Sequence, residues 1–147
     1  MATNWSVLIR VREHERDLQR QRLAQALTLL RDREAACETA RHTLHQALAE
    51  ARSAGATGLL DVRRLTAHRE HIHRLQTTLE QCKASRSEAS EQVDTERGLL
   101  LTAEQRLEQL ERLVEQQRQA AAAQAAKRQQ HELEEVWQST RAIDRAA

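Results

Sequence analysis

The chain is predicted to be all-α: a long antiparallel two-helix coiled-coil hairpin whose C-terminal helix overhangs the first. Three observations predict this. The composition is dominated by helix formers, one short segment gathers the turn-forming residues, and apolar residues recur every seven positions on both sides of that segment. There is no Pro, there are only three Gly, and the aromatic residues are limited to Trp5 and Trp137. Strands draw on aromatic and β-branched residues, and a conventional globular core draws on large apolar ones; both are scarce here.

The turn is placed at residues 53–58, Ser53-Ala54-Gly55-Ala56-Thr57-Gly58, which holds two of the three glycines. Before it, Leu23, Leu30, Cys37, Leu44 and Ala51 recur at seven-residue spacing. The intervening seam positions are filled less regularly, by Leu27 and Leu48 or by Ala26, Ala40 and Ala47. The first helix is expected over about residues 4–52. After the turn, one series reads Leu65, Ile72, Leu79, Arg86, Val93, Leu100, Leu107 and Val114. The interleaved series reads Leu75, Cys82, Ala89, Glu96, Ala103 and Leu110. Twelve of these fourteen positions are apolar, where a chain that is 39% hydrophobic gives about five or six by chance, so the stripe is a packing face. Arg86 and Glu96, with Gly98 beside them, predict a loosened mid-section.

A short turn makes the two helices antiparallel, so each narrow stripe is covered by the other. The second helix is expected over about residues 59–140, within a single domain spanning 1–147, and is much longer than the first. Beyond Val114 the stripe gives way to Gln116, Gln117, Arg118 and Gln119, and then to Ala120–Ala123. About the last 30 residues therefore have no intramolecular cover. On that overhang, Leu133, Val136 and Trp137 form a small apolar face, and Trp is a favoured interface anchor. Trp5 stands at the opposite end of the chain.

Charged residues make up 31% of the chain, yet the formal net charge is only +1, so no overall field marks a nucleic-acid or membrane-surface binder. The longest apolar runs are about three residues, such as Leu99-Leu100-Leu101, far short of the roughly 20 a membrane span requires. No signal-peptide pattern opens the chain, and a cytoplasmic location is expected. No phosphate-cradling or nucleophile-elbow motif is present, and a two-helix rod provides no enclosed pocket, so an enzyme, a cofactor and a metal are not expected. His42 and His45 on the first helix and His68 and His71 on the second are the one arrangement that could hold a metal. Solvated histidines flanking a seam are the simpler reading. Cys37 and Cys82 occupy seam positions, where a free thiol acts as a small hydrophobe.

Several segments, taken in order, resemble the FliJ family of flagellar type III export proteins. The segment 53–57 looks like that family's loop. His68, His71, Ile72, Leu75 and Leu79 match a motif of the second helix, with His at the two aromatic-or-His positions. Val93, Arg97, Leu100 and Ala103 through Leu110, Leu113 and Glu115 follow the family's later run. Residues 128–135, Arg-Gln-Gln-His-Glu-Leu-Glu-Glu, look like its C-terminal acidic motif, with Glu134 where Asp is usual.

The resemblance implies a non-enzymatic stalk and adaptor, similar to the central γ stalk of rotary ATPases, at the cytoplasmic face of the flagellar basal body. It implies that the terminal ends, here Trp5, Leu8, Leu133, Val136 and Trp137, bind a hexameric export ATPase. A patch near the bend, Leu44, His71, Leu75, Thr78 and Cys82 with Arg33, Cys37 and Ala40, would touch the membrane-embedded export gate. Export chaperones are further implied partners; nucleic acid and membrane insertion are not. Two other classes compete with this reading: a passive coiled-coil spacer, and a holdase-type chaperone gripping substrates with Leu59, Leu60 and Val62 beside the bend.

Overall fold

A computed structural model of the chain describes residues 4–56 and 61–147. Two helices account for nearly all of them: α1, Trp5–Ala56, and α2, Val62–Ala146. Each begins where its sequence supplies a cap. The Asn4 carbonyl oxygen accepts the Val7 and Leu8 N–H groups at 3.2 and 3.4 Å, and the Asn4 side chain accepts the Ser6 hydroxyl. At the start of α2, Asp61 Oδ1 accepts the Arg63 N–H at 3.0 Å, satisfying one of the otherwise orphaned amides of the first turn.

The helix boundaries differ from the sequence expectation. Helix α1 continues through Ser53–Ala56, because Ala and a single Gly do not break a helix that already has a long run behind it. Thr57, Gly58, Leu59 and Leu60, which the sequence places in the turn and at the start of the second helix, lie outside the described residues. Helix α2 runs on to Ala146 rather than ending near 140. Its Ala-, Gln- and Glu-rich composition sustains it without tertiary cover.

The contacts divide into two compact units. One comprises Arg16–Thr102; the other comprises the residues up to Glu15 together with Ala103–Ala147. In the first unit the two helices bury Ala26, Cys37 and Ala47 from α1, and Leu79, Ala89 and Val93 from α2. The two open possibilities for α1 resolve in favour of alanine. Ala26 and Ala47 are buried and Ala40 is half-buried, while Leu27 and Leu48 flank the seam at intermediate exposure. Small side chains on α1 meeting Leu and Val on α2 let two backbones approach closely with little side-chain volume between them.

Glu96 does not loosen this unit. Gln19 is buried, and its amide donates both to the Glu96 carbonyl oxygen at 3.3 Å and to the Glu96 carboxylate, while Gln92 Nε2 donates to the other carboxylate oxygen at 2.9 Å. This is a closed polar layer between residues 77 positions apart in the chain, and it fixes the antiparallel register. Helix α2 passes unbroken through Gly98. Leu65, assigned to the seam by its spacing, is 52% exposed.

In the second unit Leu107 is buried, and Trp5, Ile9, Ala103, Leu110 and Val114 are half-buried. The α1 stripe here was invisible to hydrophobic periodicity because Arg12 fills one of its positions. Arg12 is half-buried there, and its guanidinium reaches Glu15 at 2.9 Å. From 115 to 146 every residue of α2 is exposed, a length of about 50 Å at 1.5 Å per residue. Exposed pairs one turn apart, including Arg112 with Glu108, decorate the outer faces and contribute at most about 0.5 kcal/mol each.

Candidate partner-binding surfaces

The residues assigned to a terminal binding surface fall into two groups. Leu133 and Trp137 are 71% and 59% exposed, and Val136 and Ile143 are similarly bare. Spacings of three, four and seven put all four on one side of a helix. Ile143 extends the face by a turn; sequence reading missed it because the expected helix stopped near Thr140. Arg141 stacks its guanidinium 4.3 Å from the Trp137 ring centroid, one turn further along, giving the apolar face a basic edge.

This face continues the direction of the intramolecular seam only in part: at about 100° per residue Ile143 and Val136 lie within about 20° of Leu107, while Leu133 and Trp137 lie about 80° and about 120° round from it. Its centre lies about a fifth of a turn round the helix from the direction of Leu107 and Val114. The positions that keep the seven-residue spacing of the seam, Gln117, Ala121, Gln124, Arg128, His131 and Glu135, are mostly polar. Trp5 behaves differently. It is half-buried at the first position of α1, so part of its surface is used in packing. Leu8, together with Val7 and Val11, is exposed on the outer side of the same helix.

The residues assigned to the second surface, near the bend, are gathered only in part. Arg33 and Ala36 from α1 and Thr78, Gln81, Cys82 and Ser85 from α2 line a shallow hollow of about 110 Å³. Leu44 and Leu75 are half-buried, and His71 is exposed. The Thr78 hydroxyl is already engaged, donating to the Arg74 carbonyl oxygen at 3.0 Å. Cys37 is fully buried, so it packs the helix pair and presents nothing to a partner; both cysteines are free thiols. Among the described residues, no three His, Cys, Asp or Glu side chains come together to hold a metal ion, and His42, His45, His68 and His71 do not converge. Among the described residues, no helix is long and apolar enough to cross a membrane. No protein-family model, curated protein or solved structure matches the chain.

Proposed function

We propose that the chain is a non-enzymatic stalk and adaptor of a bacterial flagellar type III export apparatus, binding the hexameric export ATPase through its terminal ends. The observation that carries this reading is the bare face of Leu133, Val136, Trp137 and Ile143, on a helix that has outrun its partner. A lone helix gains nothing from such a face in water, whereas a groove or pore that receives the helix buries it. The order of the segments resembling the FliJ family supplies the identity of the receiving protein and the location, peripheral at the cytoplasmic side of the flagellar basal body. The hollow at Arg33, Thr78 and Cys82 supports a contact with the export gate near the bend, made through exposed polar side chains and the rim of the seam.

A passive spacer accounts for the paired helices but gives no reason for Trp137 to be exposed. A holdase reading draws on Leu59, Leu60 and Val62; the first two lie outside the described residues, and Val62, 74% exposed, is by itself a small apolar grip. The test is a pull-down of the ATPase encoded beside this gene, followed by its hydrolysis rate with and without the chain. Capture and stimulation, both weakened by Trp137→Ala, support the stalk. Capture by a Trp137→Ala chain equal to that by the intact one contradicts it.

A further inference from the structure

The chain's overall charge conceals a strong local imbalance. Residues 52–74 carry five arginines, Arg52, Arg63, Arg64, Arg69 and Arg74, against two acids, Asp61 and Glu70, while the whole chain sums to only +1. Elsewhere seven of the sixteen described arginines have an ion pair, as in Arg12–Glu15, Arg41–Glu38 and Arg112–Glu108, so it is the density of unpaired arginines that sets the bend apart. Among the described residues, none of the five near the bend has an ion pair. Asp61 accepts the Arg63 N–H at the first turn of α2 and keeps its negative charge, so Arg52, Arg63 and Arg64 less Asp61 leave about two positive charges at this end. Beside the arginines, Val62 and Leu65 are 74% and 52% exposed.

Arrangement and distance identify the kind of surface this end fits. At 100° per residue, Arg63, Arg64 and Arg69 point in directions spread right round α2. A protein groove reads one face of a helix as a stripe, and these charges form no stripe. A planar surface met end-on collects charge from every side. Arg52 lies about 6 Å from the last residue of α1, and Arg63 and Arg64 lie about 3 Å or less from the first residue of α2. Arg69 is about 10 Å in and Arg74 about 18 Å. With a screening length of about 8 Å at physiological ionic strength, the first three carry the attraction, Arg69 adds part, and Arg74 adds little.

We infer that the bend end of the hairpin docks on an anionic phospholipid surface, through Arg52, Arg63 and Arg64 with Val62 and Leu65 dipping into the headgroup layer. Unpaired guanidiniums meet lipid phosphates, and the two apolar side chains leave water without any helix spanning the bilayer. A bilayer contact here adds a lipid component to the gate contact proposed near the bend, and it does not depend on the terminal face that would bind the ATPase.

The test is co-sedimentation of the full-length chain with vesicles of phosphatidylcholine alone or with 30% phosphatidylglycerol, at low and at 0.5 M salt, with no ATPase present. Binding is expected only to the anionic vesicles, and high salt should abolish it. The double change Arg63→Gln/Arg64→Gln should weaken it by about tenfold or more. Arg63→Lys/Arg64→Lys should retain most of it, and Val62→Ser should weaken it less than the charge change. Circular dichroism confirms that each variant is still helical, as expected for fully exposed positions. Equal binding to neutral vesicles, no binding to anionic ones, or full binding by the Gln pair overturns the inference. Capture of polyglutamate or duplex DNA without capture of vesicles also overturns it, by moving the partner to another class. None of these outcomes bears on the ATPase reading, which is scored on Trp137→Ala.

Discussion

The same substitution made twice on one helix isolates what the seam contributes. Val93 and Val136 both lie in α2, but Val93 is 2% exposed and Val136 is 63% exposed. Val→Ala removes the equivalent of two methylenes, about 1.6 kcal/mol of transfer free energy for a fully buried side chain. Ala is also the better helix former by about 0.5 kcal/mol, a gain common to both sites. At 93 nearly the whole transfer loss applies, together with a small cavity term, because a two-helix seam can partly close or admit water. The net cost is about 1–2 kcal/mol. At 136 only about a third of the side chain is covered, so the loss is about 0.6 kcal/mol and the propensity gain cancels it. Thermal denaturation followed by helical circular dichroism measures both. Val93→Ala should lower the melting temperature by roughly 2–8 °C, and Val136→Ala should leave it unchanged within error. Equal destabilisation by the two would refute both the seam assignment and the claim that α2 has no cover past residue 114.

Two further outcomes follow from the interior of the hairpin. A Cβ built at Gly98 meets no atom within 4 Å, so Gly98→Ala should stabilise the chain by about 1 kcal/mol, read as a raised denaturation midpoint. Replacing the polar layer by Gln19→Leu/Glu96→Leu should raise stability, since apolar packing replaces a partly buried polar contact. It should also weaken the register, visible as a broadened distance distribution between spin labels on α1 and α2. A double variant that melts lower with an unchanged distribution would show that the layer is a stabilising contact and not a register device.

The α2 seam was legible because its apolar positions keep strict seven-residue spacing from Ile72 to Val114, and burial follows that spacing. The early α1 seam was not, because Arg12, Arg16 and Gln19 occupy positions that periodicity searches score as surface. Gln19 is buried against Glu96, 77 positions away in sequence. Leu65 shows the opposite failure: the right residue at the right spacing, near a helix end where cover has run out. The terminal face was legible in Leu133, Val136 and Trp137 because an apolar group on a polar helix stands out. The bend-end charge was not, because a sum over the chain cannot register that neighbouring acids neutralise some arginines and leave others bare.

The central claim is that α2 carries a segment the hairpin does not need and a partner does. Truncation after Gln116 tests it most directly, with thermal melting and stimulation of the cognate ATPase hexamer measured on the same preparations. The account predicts a melting temperature within about 2 °C of the intact chain, because the exposed segment buries almost nothing, and a loss of stimulation. A truncated chain that stimulates the ATPase as well as the intact one would contradict it.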